Sequence, residues 1–215
     1  MDKYGGEITL EFCTDNLSSA LEAEKAGADR IELCADLEKD GLTPDQQLTE
    51  QVCMELQIPV KVMIRSRPGN FNYSDDEVNF MTDTIKLYRS FNVGGFVVGA
   101  LTSKGLPDLE AIESWADAAG DIPLCFHKAI DLTNDWKTSL NMLSGIPQVK
   151  AILTSGLQSK ARGGIKVLGE MVENYGTRFE IIAAGSITYN DIPFFMKKWS
   201  GRSLHGRRIV KVLSS

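Results

Sequence analysis

The chain has 215 residues, of which 43% are hydrophobic and 24% charged, a balance that excludes a disordered chain and suffices for one large α/β core. Its net charge is −6 with no run of Lys or Arg, which argues against a nucleic-acid or anionic-membrane surface. No apolar run approaches 18 residues, and MDKYGGEITLEF lacks the apolar stretch of a signal peptide, so the cytoplasm is the expected location.

Eight short strand-like segments follow one another: ITLEF (8–12), DRIEL (29–33), VKVMI (60–64), GFVVG (95–99), PLCFH (123–127), KAILT (150–154), EIIAA (180–184) and SLHG (203–206). Each interval has room for one helix and two loops, the rhythm of parallel βαβ units. Leu17, Ala20, Leu21 and Ala23 recur at helical spacing and stop near Gly27. Thr43-Pro44-Asp45-Gln46 reads as a Thr N-cap with Pro at the first helical position, and Ser74 with Glu77 as a capping box opening a helix to about Phe91.

The strands alternate between an apolar face and a mixed one. Ile8, Leu10 and Phe12 oppose Glu7, Thr9, Glu11 and Cys13. Ile31 and Leu33 oppose Arg30, Glu32 and Cys34, while Val60, Val62 and Ile64 oppose Lys61, Met63 and Arg65. Strands of a doubly wound sheet, the alternative, are covered on both faces and read as continuous apolar runs. The alternation therefore predicts a single-domain (β/α)8 TIM barrel over residues 1–215, mixed faces inward. Only RRIVKVLSS follows the eighth strand, so the final helix is expected to be short or missing.

Chemistry in this fold sits at the C-terminal strand ends. That level collects Glu11 and Cys13, Glu32 and Cys34, Arg65 and Arg67, His127 and Lys128, Thr154 and Ser155, Gly185 and Ser186, and His205 and Arg207. Cys53, with Val52, Leu56 and Ile58 nearby, reads as core, as does Cys125, low in its strand. Cys13 and Cys34 sit at matching positions on strands about 4.8 Å apart. Two soft thiolates suit Cu(I), whereas zinc would need Glu11 or His127 as well. The plainer readings are a buried small hydrophobe for each cysteine and ion pairing with Arg30 and Arg65 for Glu11 and Glu32. The loops at TSG (154–156) and AGSI (184–187) suit either an anion or a tight turn.

LEFC (10–13), GADRIELC (27–34), GLTP (41–44), MIRSRPGNFNYSDDE (63–77), FHKAID (126–131), LTSG (153–156) and LHGRR (204–208) together resemble the CutC copper-homeostasis family, over residues 8 to about 208. The resemblance implies a TIM barrel, a cytoplasmic homo-oligomer and a part in copper handling, with Cys13 and Cys34 as proposed Cu(I) ligands. Ser66 stands where the family frequently has proline, and Lys128 where it frequently has arginine. A Lys there turns a bidentate anion contact into a point charge.

Two functions follow. One is copper homeostasis, with Cys13 and Cys34 binding Cu(I). The other is a barrel enzyme for a small sugar- or phosphate-like substrate, because a Cu(I) carrier has no need of Glu11, Glu32, Arg65, Arg67, His127 and Asp131 around one mouth. In that case His127 or Glu32 serves as acid or base, with Glu11, Arg65 and Asp131 beside them. Arg67, Ser155, Gly185, Ser186, His205 and Arg207 would contact the small polar or anionic metabolite.

Overall fold

The computed structural model describes residues 8–211; Glu7 and residues 212–215 lie outside them. Eight parallel strands close into a barrel in chain order. They are β1 Thr9–Thr14, β2 Arg30–Leu33, β3 Val60–Met63, β4 Gly95–Val98, β5 Leu124–Phe126, β6 Val149–Thr154, β7 Glu180–Ala183 and β8 Ser203–Gly206. Between them run α1 Leu17–Lys25, α2 Gln46–Glu55, α3 Asp75–Tyr88, α4 Leu109–Ala119, α5 Trp136–Leu143, α6 Ile165–Tyr175 and α7 Ile192–Lys198. Among the described residues no helix follows β8. The chain instead bridges Thr188 to Arg208 and buries Ile209 and Val210.

Strand parity is set by burial. Phe12, Ile31, Leu33, Val60, Val62 and Ile64 join the mantle under the helices, while Cys13, Cys34, Met63, Val97, Cys125 and Leu153 form a second, interior cluster. Burying each large aliphatic or aromatic side chain is worth about 1.5–3 kcal/mol. A one-residue slip would exchange the faces and drive Arg30 and Glu32 beneath the helices, so the alternation holds the register.

Local signals place the helix starts, with one correction. The Ser74–Glu77 capping box forms with both of its bonds, and α3 runs to Tyr88 before a 3-10 turn ends at Phe91. Thr43 does not cap α2. Asp45 does, accepting from Leu48 N–H, because it immediately precedes the first helical residue. Thr43 instead ties the loop to β3: its hydroxyl donates to Arg65 O and accepts from Arg65 N–H.

Candidate functional site

The barrel floor is an ion network built from the inward faces of β1, β2, β3, β7 and β8. Fully buried Glu11 accepts from Arg30 and from His205 Nδ1 at 2.8 Å, and Lys61 Nζ lies 3.0 Å from its other oxygen. Arg30 also grips Glu180, at 2.8 Å and 3.2 Å, and Glu180 takes the Ser203 hydroxyl. Burial alone would favour a neutral Glu11. Lys61, the His205 hydrogen bond and Arg30 outweigh it and hold its pKa well below the carboxylate range.

Above this floor lie the two thiols. Cys13 pairs in register with Glu32 rather than with Cys34, so the two cysteines are offset along the ladder, contrary to the matching positions expected from sequence. Strand tilt still brings their Sγ atoms to 3.7 Å, and Glu32 Oε1 lies 3.6 Å from Cys13 and 3.5 Å from Cys34. A hydrogen bond donated by Cys34, and then His205 working against burial, bring Cys13 down to about 5. Giving that bond and being buried push Cys34 well above the ordinary thiol range. Burial pushes Glu32 up to about 8. Burial also opposes charge on His205, yet Glu32, Cys13 and Glu11 hold its pKa well above the usual value. Arg30, Lys61 and His205 thus face Glu11, Glu180 and Cys13 across the interior. Gly41, at φ +83°, makes room for this arrangement, since a Cβ there would stand 3.1 Å from Cys34 Sγ.

The thiols open upward into a cleft of about 1250 Å³. On the wall from β3 and β5, His127 Nδ1 accepts from Ala129 N–H at 3.1 Å, so Nε2 carries the ring proton. Burial, then the Arg65 charge, push His127 down to about 3, and the ring is neutral. Arg65 does not pair with a carboxylate, as sequence suggested it would with a glutamate. Nη1 donates to Lys39 O and Gly41 O and Nη2 to Gly69 O, because the β2–α2 and β3–α3 loops fold their carbonyls over the guanidinium. Across the cleft Asp131 accepts from the Thr154 hydroxyl, from Ser155 N–H and hydroxyl, and from Leu157 N–H, at 2.5–2.9 Å. It thereby shapes the loop after β6, where Gly156 at φ +67° touches Gly164 so closely that a Cβ would fall 2.4 Å from its carbonyl oxygen.

The cleft thus gathers Glu32, Cys13, Cys34, Arg65, His127 and Asp131, with Ser155, Gly185, Ser186, His205 and Arg207 on its wall. Glu11 lies beneath, reaching the cleft only through His205. Arg67 turns away: its guanidinium binds Glu77 and the Asn70 and Asn72 carbonyls, because the chain leaves the ladder after Met63 and alternation no longer directs it inward. Cys53 is buried on α2 and Cys125 inside the barrel, and burial pushes their thiols up to about 11 and about 12. Residue-by-residue reading missed Lys61 and Glu180 as partners of the floor network, and Phe71 as a cleft residue. Inward parity signals Lys61; nothing local signals a Glu180–Arg30 pair so distant in sequence.

The family model described as CutC family matches residues 8–210. A human protein named "Copper homeostasis protein cutC homolog" is 35% identical over 196 residues, covering 91% of this chain and 71% of that protein. A CutC protein of Pasteurella multocida is 37% identical over 198 residues, covering 92% and 81%. The crystal structure of CutC from Streptococcus agalactiae superposes with a TM-score of 0.89 at 33% identity, covering 94% of this chain and all (100%) of that one. Phosphonopyruvate hydrolase, at 13% identity and a TM-score of 0.61, shares the barrel alone. With its paired thiols, its barrel and a match running from residue 8 to 210, the chain belongs to the CutC family.

Proposed function

We propose that this protein takes part in copper homeostasis by holding Cu(I) between Cys13 and Cys34, with His205 as third donor. The observation that carries the reading is the thiol pair 3.7 Å apart on the cleft floor. Thiolates are soft donors suited to Cu(I). Metal–thiolate bonds near 2.3 Å would set two sulfurs about 4.6 Å apart in a linear site, so the observed spacing favours a bent one that admits a third ligand. Cys13, Glu32 and His205 offer ligand atoms within 4.8 Å of one another. Glu11 occupies His205 Nδ1, leaving Nε2 for the metal in the manner of an outer-shell carboxylate.

Donor softness favours Cu(I), and its binding displaces both the Cys34 proton and the His205 Nε2 proton. The names of the human and mouse relatives, copper homeostasis proteins, support the same reading. We place the protein in the cytoplasm as a homo-oligomer, where thiols stay reduced. Among the described residues no helix is long and apolar enough to cross a membrane. An anaerobic Cu(I) titration against a chromophoric chelator tests the site. The expected outcome is tight stoichiometric binding that Cys13→Ser and Cys34→Ser each weaken sharply, with Zn(II) competing poorly. Binding indifferent to both substitutions defeats the reading.

A further inference from the structure

Copper uses the β1, β2 and β8 side of the cleft and leaves the β3 and β5 wall unexplained. Two buried donors on that wall lack acceptors among the described residues. His127, 4% exposed, presents Nε2–H without a partner, and Arg65, 5% exposed, presents Nε–H without one. Nδ1 of His127 is committed to Ala129 N–H, so the ring cannot satisfy itself by changing tautomer. The Arg65 cation meets no carboxylate: its hydrogen bonds go to carbonyl oxygens, with the Tyr73 hydroxyl beside it. An unpaired buried donor costs about 1–3 kcal/mol, and more when it is charged, so two of them on one wall of the cleft, both packed on Phe71, mark a missing acceptor.

The surroundings give its sign. Arg65, Lys128, Arg207 and Arg208 line the cleft against Asp40 and Asp131, and Asp131 already accepts four donors. A chain with a net charge of −6 therefore presents a positive mouth. Phe71 packs against both side chains. Its ring centroid lies 4.6 Å from that of His127 and 5.1 Å from Arg65 Cζ, and it too lines the cleft.

We infer that the cleft is also a binding site for a small organic oxyanion, a carboxylate or a phosphate ester. Phe71 turns aside, and an anionic oxygen accepts from His127 Nε2–H and Arg65 Nε–H. His127 is then a neutral donor in a binding role, in keeping with a pKa near 3, and not an acid or base. The inference is independent of the copper site and is tested on metal-free protein.

Inorganic phosphate and malonate are the probes, titrated separately against protein carrying 15N label in its histidine and arginine side chains. Expected are saturable shifts of the His127 Nε2 and Arg65 Nε signals. The probe that binds more tightly assigns the ligand class. His127→Asn keeps an acceptor for Ala129 N–H but removes the donor, and it weakens the better probe about tenfold or more as read at Arg65 Nε. Phe71→Ala speeds association. Absence of saturable shifts in the wild-type protein overturns the site, and this arm depends on no variant folding. Affinity within twofold of wild type in His127→Asn overturns the assignment of the donor. An unchanged or slower association rate in Phe71→Ala overturns the role of the ring as cover.

Discussion

Replacing Glu11 by Gln removes the one charge on which Arg30, Lys61 and His205 converge while keeping the shape of the side chain. Lys61 Nζ stands 3.0 Å from Glu11 Oε2 and His205 Nδ1 2.8 Å from Oε1, around a side chain with no solvent exposure. At an effective dielectric constant near 20, one pair at that separation is a gross attraction of about 5 kcal/mol. Desolvation offsets part of this, and breaking a buried pair typically costs about 3–5 kcal/mol because the remaining charge stays buried. Glu11→Gln should therefore lower unfolding stability by about 3–5 kcal/mol, or about 6–20 °C in Tm for a chain of this size, measured by urea denaturation with thermal melting alongside. Adding Lys61→Met removes the stranded ammonium and should restore much of the loss. A cost below about 1 kcal/mol for the single variant, or no recovery in the double one, would refute the view that Glu11 anchors the barrel interior.

Two further predictions follow from particular contacts. Gly41→Ala places a methyl 3.1 Å from Cys34 Sγ at φ +83°. It should cost about 1–2 kcal/mol in urea unfolding and weaken Cu(I) binding; wild-type affinity would show that Gly41 does not shape the thiol site. His127 makes folding acid-sensitive. With a folded pKa of about 3 against about 6.5 unfolded, it is neutral in both states above pH 6.5. Below that the unfolded chain takes up a proton which the folded protein refuses, so stability falls progressively toward pH 3. The loss at pH 5 is about 2 kcal/mol relative to pH 7. Stability curves at pH 7 and pH 5 for wild type and His127→Asn should converge by that amount, and parallel curves would contradict the buried neutral ring.

The barrel was legible because strand parity is a burial signal. Phe12, Ile31 and Val62 point into the mantle while Glu11, Glu32 and Lys61 point inward, and alternation within a single strand contains that information. Strand-end residues such as Cys13, Cys34 and His127 were legible for the same reason. What failed lies outside the ladder or across it. Arg67 follows the end of β3, where parity lapses, and the capping-box residue Glu77 captured it. Thr43 lost the cap to Asp45, whose place next to the first helical residue outweighs a Thr-Pro signature. The offset between Cys13 and Cys34 depends on register, and the Arg30–Glu180 pair joins β2 to β7 across the barrel. No local pattern carries either. His127 drew attention as an acid or base; burial and the nearby Arg65 cation, neither visible in the local pattern, keep its ring neutral.

X-ray absorption at the copper edge of Cu(I)-loaded protein tests the central claim most directly. The account predicts two sulfur scatterers and one nitrogen per copper, with the sulfur shell lost in Cys13→Ser/Cys34→Ser and the nitrogen lost in His205→Ala. A first shell of nitrogen and oxygen alone, or a sulfur shell that survives the double substitution, would contradict it.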